Sequence, residues 1–387
     1  MMSKYDYIIV GAGLAGGILA RKLADQKNKK ILIVERRNHI AGNTFDYNDD
    51  HDIKVQKYGP HVLHTNSDEV YEFITQFCEP VTYKTKCEAV IDGINTPSPF
   101  NFKTIDQFYS KQEAETLKAK LLRYYDHRSS VTVVEMLESI DDDIRHFAEF
   151  LFEKDYKLYT AKQWNLQPEE IDPSVLKRVP IVLSYGDTYF YDKYEFIPKE
   201  GFTAMYSNIV NHPNITIKLG VDALDHVAID EYSHRVLYDG KTVKLVYTGA
   251  IDELFDYKFG VLPYRSLHFE FKSLHMQNFQ NVAIVAYPQE DDYTRITEYS
   301  KMPLQECNGW TNATYEYPVS YNKNAQIGNE PYYPVLTKDS IKMYDSYKKF
   351  AQEFENLILC GRLAEFKYYN MDQVILRSLQ LYETMEN

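Results

Sequence analysis

The chain has 387 residues, enough for one large core or two to three domains, and with 44% hydrophobic and 26% charged residues its composition is typical of a globular protein. Its formal net charge of -13 at pH 7 argues against a nucleic-acid or membrane-surface binder, because such partners require a basic surface. No apolar run approaches the roughly 20 residues that cross a bilayer, and the 4 cysteines have neither CxxC nor metal-site spacing. We therefore predict a cytoplasmic protein with no metal, no nucleic acid and no membrane span.

The first predicted element is a strand–helix–strand unit. Residues 5–10 (YDYIIV) read as a short apolar strand, residues 14–27 as a helix with an apolar side, and residues 30–34 (KILIV) as a second strand. A helix that crosses over between two strands places them parallel and close together. The start of the chain therefore predicts an α/β unit.

The region from Thr104 to about residue 164 has a helical pattern. Thr104 with Gln107, and Thr132 with Glu135, have the spacing of a capping box, in which two side chains satisfy backbone amides at the start of a helix. We therefore expect helices to begin at both threonines.

The remaining chain predicts mainly strands. Residues 180–196 and 264–299 are dominated by aromatic and β-branched residues, which indicates antiparallel strands. Residues 357–360 (LILC) predict a short buried strand. A last helix is expected near Asn370, because Asn370 and Gln373 again have capping spacing.

Three glycines connect the first strand to the first helix. Gly11 permits a tight turn, Gly13 lets the backbone approach a pyrophosphate, and Gly16 lets helix and strand pack closely. The pyrophosphate would lie at the positive end of the helix, beside Leu14. Glu35 follows the third glycine by 35 − 16 = 19 residues, at the end of the second strand, where it can accept hydrogen bonds from a ribose. This pattern predicts a dinucleotide site, and the alternative is a glycine turn that binds nothing.

The segment after the second strand distinguishes between dinucleotides. ERRNHIAGN (35–43) resembles the segment that leads the chain toward the flavin in FAD proteins of the glutathione-reductase type. Arg36, Gly42 and Asn43 are therefore predicted to bind the cofactor, and FAD is favoured over NAD.

The predicted fold class is α/β with α+β inserts: a Rossmann-like FAD-binding domain, a helical insert and a twisted antiparallel β-sheet domain. The FAD-binding domain is expected to be discontinuous, from segments 1–80, 200–250 and 345–387. The helical domain (104–165) is expected to carry a mobile substrate lid. The sheet domain is expected to comprise segments 81–103, 166–199 and 251–344.

Several further segments together resemble one family, the prokaryotic UDP-galactopyranose mutases. The resemblance spans nearly the whole chain, in the right order, and rests on these segments: YGPHVLHT (58–65), YTAKQW (159–164), LKRVP (176–180), YTGAIDELFDYKFGVLPYRSL (247–267), YTRITEY (293–299), EPYYPV (330–335) and CGRLAEFKYYNMD (360–372). The block that begins YTGAIDELF is specific to this family and is not a generic flavin motif.

The resemblance implies a reaction without net oxidation. The family interconverts UDP-galactopyranose and UDP-galactofuranose for cell-surface polysaccharide biosynthesis, with the N5 atom of reduced FAD as a nucleophile at the anomeric carbon. It therefore implies an external reductant such as NAD(P)H, a nucleotide-sugar substrate and a possible homodimer. Because the cofactor performs the difficult chemistry, the family needs no obvious acid–base pair.

The resemblance also implies roles for individual residues. Arg178 and Arg295 match arginines that hold the substrate diphosphate, which suits the planar donors of a guanidinium. The other residues implied to bind substrate are Tyr189, Tyr333 and Tyr368 at the phosphates, Trp164 on the mobile lid, Tyr159 against the uracil, and Asn370 near the sugar. Those implied to lie beside the flavin are His61, His64, Arg362, Met371 and Asp372. Arg295 and His64 are the residues expected to act closest to the chemistry, His64 being favoured over His61.

Four positions depart from the family pattern. Asn370 stands where an aspartate is usual, Val182 replaces an arginine, Ala41 replaces a glycine, and Asn165 follows Trp164 where glycine is usual. Asn370 and Val182 leave open a related mutase that acts on dTDP-fucopyranose or UDP-N-acetylgalactosamine. A flavin amine oxidase or desaturase, and a non-catalytic nucleotide-binding protein, are the alternatives from other classes.

Overall fold

The computed structural model describes residues 4–164 and 180–385. The strands are β1 (Tyr7–Val10), β2 (Ile31–Glu35), β3 (Asp46–Asn48), β4 (Lys54–Gln56), β5 (Leu63–Thr65), β6 (Pro80–Thr82), β7 (Cys87–Ile91), β8 (Ile94–Ser98), β9 (Ser130–Val131), β10 (Ile181–Val182), β11 (Tyr194–Pro198), β12 (Ile215–Leu219), β13 (Val227–Asp230), β14 (Arg235–Tyr238), β15 (Lys241–Thr242), β16 (Lys244–Tyr247), β17 (Tyr264–Leu274), β18 (Ile284–Ala286), β19 (Arg295–Glu298), β20 (Thr311–Ser320), β21 (Tyr333–Pro334) and β22 (Leu357–Leu359). The α-helices are α1 (Leu14–Lys27), α2 (Asp68–Ile74), α3 (Phe102–Phe108), α4 (Lys111–Tyr124), α5 (Val133–Leu137), α6 (Asp142–Leu151), α7 (Lys157–Trp164), α8 (Phe202–Val210), α9 (Ile251–Leu254), α10 (Lys338–Ala351) and α11 (Met371–Met385). A π-helix (Phe152–Tyr156) joins α6 to α7, and short 3₁₀ turns lie at Gly42–Thr44 and Ala223–Asp225.

A five-stranded parallel sheet carries the predicted strand–helix–strand unit. Its order is β12-β2-β1-β16-β22, with Tyr7 opposite Ile31 on one side and Lys244 on the other. Helix α1 has the predicted bounds, and β1 begins at Tyr7, two residues later than expected. The predicted unit is therefore confirmed, and strands from three distant parts of the chain extend its sheet.

Both faces of this sheet are buried. Ile9 and Ile33 belong to one apolar cluster, which also contains residues of α1 and α11, whereas Ile8 and Leu245 belong to a second cluster on the opposite face. Successive side chains of a strand point to opposite faces, so a sheet covered on both sides needs continuous apolar strands. This explains why β2, with the sequence ILIVE, is buried at every residue.

A second, seven-stranded sheet has the order β21-β17-β20-β19-β18-β7-β8. Strands β17 to β20 pair antiparallel, as the sequence predicted. Strand β18, however, also pairs with β7, and this pair is parallel. The purely antiparallel prediction is wrong at that point, because the β7–β8 hairpin comes from an earlier part of the chain and lies beside β18 in the same direction.

One of the two helix starts in the helical region was predicted at the wrong residue. Thr132 is the N-cap of α5, and its capping box with Glu135 is confirmed. Helix α3 begins earlier than predicted, because the side chain of Asn101 accepts a hydrogen bond from the amide of Lys103 and takes the cap position. The Thr104 hydroxyl instead accepts a hydrogen bond from the backbone amide of Asn101. Thr104 is therefore the third helical residue (N3) of the capping box.

The stretch 180–196 contains less strand than predicted. Only β10 and the start of β11 are strands there, and both pair antiparallel. Between them the backbone forms single contacts with other segments, such as the 2.8 Å hydrogen bond from the amide of Tyr189 to the carbonyl of Thr85. A loop, not a strand, therefore presents Tyr189.

The end of the chain follows the prediction. Strand β22 joins the parallel sheet beside β16, and α11 begins at Met371. The amide of Asn370 donates to Oε1 of Gln373 over 2.9 Å, as the capping spacing indicated.

Across residues 4–164 and 180–385, no helix combines the length and apolar character needed to cross a bilayer. The domain boundaries stay a prediction, and β5 pairs with β11 across one of them.

Candidate active site

A large cavity lies at the carboxyl ends of β1, β2 and β16, the edge of a parallel sheet where ligands bind. It encloses about 1260 Å³ of space free of protein atoms, part of it open to solvent. The residues predicted to bind a cofactor that line it are Gly11, Gly13, Leu14, Glu35, Arg36, Gly42, Asn43, His61, Arg362 and Met371. Gly16, His64 and Asp372 are not among its lining residues.

The glycine turn has the shape that a pyrophosphate requires. No side chain caps the start of α1, so the first amides of the helix point toward the cavity without a side-chain acceptor. Gly11 has φ +102°, and a Cβ there would lie 2.1 Å from Oγ1 of Thr248. A Cβ on Gly16 would lie 2.3 Å from the carbonyl oxygen of Gly11. On Gly13, by contrast, a Cβ would meet only the Cα of Gly42, at 3.9 Å, so this glycine leaves space for a ligand.

Glu35 is held as a carboxylate beside this turn. Its Oε2 accepts from the amide of Ala12 over 2.9 Å, and its Oε1 accepts from Nε of Arg37 over 3.1 Å. Burial opposes ionisation, but the charge of Arg37 and the two backbone amides outweigh it and hold the pKa of Glu35 below its ordinary value. Arg37 also lines the cavity, a role that the sequence did not predict although Arg37 adjoins the predicted Arg36.

Arg36 connects the cavity wall to two acidic residues far away in the sequence. Its guanidinium lies 3.7 Å from Glu253 and 3.4 Å from Glu330, and both carboxylates line the cavity. Glu253 belongs to the YTGAIDELF block, which was recognised as a family motif without a role for any of its residues. The structure gives this block a place in the cofactor cavity, through residues 247–250 and Glu253.

The two histidines of the YGPHVLHT motif lie in different surroundings. His61 lines the cavity, and its Nδ1 lies 2.7 Å from the carbonyl oxygen of Gly59, so Nδ1 carries the proton and donates it. Burial, helped by the charge of Arg362, lowers the pKa of His61 to about 4, which keeps the ring neutral. His64 instead stacks on Phe190 with ring centroids 3.7 Å apart and contacts Asp192 through Nδ1 over 2.6 Å.

Arg362 links the cavity to a cluster of tyrosines. Its guanidinium donates to the backbone carbonyls of Tyr332 and Tyr369, over 3.0 and 2.6 Å. The same group lies 4.9 Å from the ring centroid of Tyr333 and 5.3 Å from that of Tyr368. These two rings stack on each other at 5.3 Å, so Arg362 and both predicted phosphate-binding tyrosines form one cluster.

Arg295 lies at the start of β19, directly opposite Glu316 on β20. Its Nε and one terminal nitrogen contact Oε2 of Glu316 over 2.8 and 2.6 Å. Burial acts to lower the pKa of Arg295, but Glu316, with Tyr159 and Tyr333 nearby, raises it above the ordinary value. Arg295 is therefore a permanent cation beside the tyrosine cluster. No sequence motif predicts Glu316, because only the register of two strands brings it to Arg295.

The structure places the remaining predicted residues at different points of the site. Tyr159, on α7, lies in the electrostatic field of Arg295 and Glu316. Asn370 immediately precedes α11, and Oδ1 of Asp372 is buried with no hydrogen-bond partner among the described residues. Val182, at the position of the missing family arginine, is buried in β10. Arg178 and Asn165 lie outside the described residues, as does the side chain of Trp164.

The described residues fit a dinucleotide whose second end is a flavin. A glycine turn with free amides suits the pyrophosphate, and an ionised Glu35 suits the ribose. At the other end, neutral His61, fixed Arg362 and the start of α11 at Met371 offer a polar edge for a ring system. The class of protein that this fold and site define is a Rossmann-type dinucleotide-binding enzyme with a cationic, tyrosine-rich cluster beside its cofactor cavity.

Comparison with known proteins leads to the same class and then to one family. A family model described as UDP-galactopyranose mutase matches residues 154–368, and one described as an NAD(P)-binding Rossmann-like domain matches residues 9–77. The dTDP-fucopyranose mutase of Escherichia coli is 32% identical over 96% of this chain and 96% of its own length. The probable UDP-galactopyranose mutase of Klebsiella pneumoniae is 32% identical over 98% of this chain and 94% of its own.

A solved structure shares the whole fold. The crystal structure of a reduced UDP-galactopyranose mutase superposes with a TM-score of 0.72 at 16% identity, and the match covers 99% of this chain and 94% of the other. This chain belongs to the UDP-galactopyranose mutase family. Membership implies a flavin as the dinucleotide cofactor, and it confirms both the family and the fold class that the motifs predicted.

Proposed function

We propose that this chain is a flavin-dependent isomerase that interconverts UDP-galactopyranose and UDP-galactofuranose without net oxidation. One observation carries the proposal: Arg362 lines the cofactor cavity and also contacts Tyr333 and Tyr368, so a cofactor ring and an anionic substrate can meet there. Family membership supports the same reaction class.

The residues beside the cavity are suited to bind a diphosphate that leaves and returns. When bound in its reduced form, the flavin supplies a nucleophile, its N5 atom, to the anomeric carbon of the sugar. Arg295 keeps its charge and is oriented by Glu316, which leaves its other N–H groups free to donate to phosphate oxygens. Burial raises the pKa of Tyr333, so its hydroxyl stays a donor to the same oxygens.

His61 is suited to orient the cofactor and not to carry a proton. A histidine that titrates near pH 7 can act as an acid and a base, but burial lowers the pKa of His61 to about 4. Its Nδ1–H is already donated to Gly59, so only Nε2 is free to act, as a hydrogen-bond acceptor. This arrangement supports a role for His61 as a fixed acceptor for an N–H group of the cofactor.

The proposal includes several finer statements that the family resemblance supports. These are FAD as the flavin, reduction of FAD before turnover by a donor such as NAD(P)H, a cytoplasmic location and a homodimer. Arg178, Trp164 and Tyr189 are proposed to complete the substrate site, with Trp164 on its lid.

A second candidate substrate is dTDP-fucopyranose. Asn370 stands where the family usually has an aspartate, so a carboxylate acceptor is absent close to the predicted position of the sugar. Fucose has a methyl group in place of a hydroxymethyl group and therefore one donor fewer to satisfy. The E. coli dTDP-fucopyranose mutase is as similar to this chain as the probable UDP-galactopyranose mutase of Klebsiella pneumoniae, at 32% identity each.

A chromatographic assay tests the proposal. The flavin-loaded protein is incubated with UDP-galactofuranose, dTDP-fucopyranose and UDP-N-acetylgalactosamine, each with and without dithionite. We expect UDP-galactopyranose to form from the first compound only when dithionite is present. Conversion of another sugar nucleotide alone would keep the reaction and change the sugar. If a flavin-loaded protein converts none of them, the proposed function is wrong.

A further inference from the structure

The loop between β20 and β21, residues 321–332, lies between two cavities. Residues 330–332 line the cofactor cavity. On the other side, residues 326–330 line a second cavity, which encloses about 1040 Å³ of space free of protein atoms and is partly open to solvent. The loop is therefore one wall of the cofactor cavity and has open space behind it.

The first part of this loop is held by little apolar packing. Of residues 321–330 only Gly328 is buried, and Ile327 is 54% exposed. The end of the loop is attached to β17, because Oγ of Ser266 donates to the carbonyl of Glu330 over 2.6 Å. Segments with little buried apolar surface open at a low cost in free energy. The part before Glu330 can therefore move into the space behind it when its polar contacts separate.

Those polar contacts converge on Glu253, whose side chain is only 6% exposed. Glu253 accepts a hydrogen bond from the Tyr321 hydroxyl over 2.6 Å, and it pairs with Nζ of Lys323 over 3.1 Å. Arg36 contacts the same carboxylate over 3.7 Å. Glu253 and Arg36 line the cofactor cavity, whereas Tyr321 and Lys323 do not. The loop therefore holds side chains of the cavity wall from outside.

The contacts continue as a row of alternating charges along the cavity. Arg36 contacts Glu330 over 3.4 Å, and Glu330 lies 3.9 Å from Arg37. Arg37 in turn pairs with Glu35, the residue predicted to bind the ribose. Charges that form a network contribute more to stability than an isolated exposed pair. Arg36 and Glu330 are 33% and 25% exposed, so this row lies where the cavity meets solvent.

We propose that Tyr321, Lys323 and Glu253 form a clasp at the mouth of the cofactor cavity, which must open before FAD enters or leaves. When the loop moves back, Glu253 loses its outer partners, and the side chains of Glu253 and Arg36 no longer close the rim. The proposal rests on the proposed function only in taking FAD as the flavin.

Lys323→Met and Tyr321→Phe test the clasp, because each removes one contact with Glu253. Methionine keeps the approximate length of lysine without its charge, and phenylalanine keeps the ring that packs on Tyr264 with centroids 5.9 Å apart. The matched control is Lys258→Met. Lys258 is 36% exposed, as is Lys323, and it pairs with a glutamate over 2.6 Å, but neither member of this pair lines the cavity.

The rates of FAD release and uptake are the measured quantities. Release is followed by absorbance after the FAD-loaded protein is mixed with excess 5-deaza-FAD, and uptake after the flavin-free full chain is mixed with FAD. We expect Lys323→Met and Tyr321→Phe to release and take up FAD roughly three- to tenfold faster than the wild type and the control. The dissociation constant should change by less than about twofold, because a gate speeds both directions alike whereas a lost cofactor contact speeds release alone. Lys323→Arg keeps the cation and should behave as the wild type.

The outcomes separate this inference from the proposed function. Wild-type rates in both variants would overturn the clasp. Faster release with unchanged uptake would overturn it as well, because the contacts would then only support the bound cofactor. Either result would leave the conversion of sugar nucleotides by flavin-loaded protein unaffected. If the wild type binds no FAD, the cofactor named in the proposed function is wrong and this inference fails with it.

Melting temperatures of the flavin-free proteins control for folding. Each substitution removes one contact of a partly exposed side chain, so both variants should melt close to the wild type. If one variant melts at a lower temperature, the other carries the test.

Discussion

At the scale of single residues, the site depends on the buried ion pair of Arg295 and Glu316. The side chain of Glu316 is 3% exposed, so Glu316→Gln would leave the guanidinium without its counter-charge. We expect the free energy of unfolding to fall by about 3–5 kcal/mol. Bound UDP supplies a replacement negative charge, so UDP should raise the melting temperature more in the variant than in the wild type.

A matched control for this experiment is Glu355→Gln. Glu355 pairs with Arg235 over 2.6 Å, but both side chains are largely exposed, at 75% and 39%. Such a pair contributes at most about 1 kcal/mol, so stability should change little and the response to UDP not at all. Equal responses of both variants to UDP would show that Arg295 does not bind the diphosphate.

His61 should make stability depend on pH. The pKa of His61 falls from 6.5 to about 4 on folding, so between these values only the unfolded state binds the proton. The free energy of unfolding should therefore decrease as the pH falls from 6.5 to 4, by up to about 3 kcal/mol, and the effect should level off below pH 4. His61→Asn can still donate to Gly59 but does not titrate. The free energies of unfolding of the two proteins, measured by denaturation and plotted against pH, should converge as the pH falls. Parallel plots would exclude this role for His61.

Residue roles could be predicted where a short motif carries them. Gly11, Gly13, Glu35 and Arg36 belong to one strand–helix–strand motif, and all four line the cavity. Glu316 could not be found in this way, because only the alignment of β19 with β20 makes it a neighbour of Arg295. His61 and His64 lie in one motif three residues apart, and the fold rather than the motif decides that His61 lines the cavity whereas His64 stacks on Phe190.

At the scale of elements, the beginning of α1 contains two glycines with different functions, Gly13 at the N-cap and Gly16 in the first turn. A Cβ on Gly16 would meet the carbonyl oxygen of Gly11 at 2.3 Å, so Gly16→Ala should strain the backbone and lower the melting temperature. A Cβ on Gly13 has its nearest contact at 3.9 Å, so Gly13→Ala should fold normally. It should nevertheless lose flavin, because the methyl group occupies the space for the pyrophosphate. Flavin content and melting temperature measure both effects, and a flavin-loaded Gly13→Ala protein would contradict this account.

The ammonium group of Lys162 joins helix α7 to the loop between β18 and β19. Nζ of Lys162 donates to the carbonyls of Tyr287 and Tyr293, each over 2.8 Å, and also to that of Glu290. Lys162→Met removes all three bonds while keeping the length of the side chain. Tyr159 lies on the same helix, so the variant should bind UDP roughly tenfold more weakly, with unchanged flavin content.

Lys154→Met is the corresponding control, since Lys154 forms a surface ion pair with Asp92. Titration of both variants with UDP distinguishes the effect of losing the Lys162 contacts of α7 from the effect of losing one positive charge. If Lys162→Met binds UDP as tightly as the wild type, the attachment of α7 has no part in substrate binding.

Elements with a strong local pattern were predictable, and those fixed by distant contacts were not. The bounds of α1 follow from its apolar spacing and from the glycines before it. In the segment 183–193 the same aromatic residues that indicated a strand instead pack in a loop, because this segment has no continuous partner strand. Asn101 and Thr104 are both residue types that favour the N-cap of a helix. Only the fold determines that Asn101 takes this position in α3.

At the scale of the whole molecule, the site is assembled from remote segments of the chain. The cavity combines the glycine turn with residues near 250, 330, 362 and 371, and the adjoining cluster adds Arg295. No local pattern predicts this assembly. The family resemblance could predict this assembly, because the family motifs are the same remote segments that the fold brings together.

The central claim is that the flavin takes part in turnover without being oxidised or consumed. The most direct test follows flavin absorbance and product in one anaerobic sample of dithionite-reduced protein with UDP-galactofuranose, after excess reductant has been removed. The account predicts many equivalents of UDP-galactopyranose per flavin, while the absorbance stays that of the reduced form. If the absorbance of oxidised flavin returns as substrate disappears, with at most one equivalent of product, the protein is an oxidoreductase and the account is wrong.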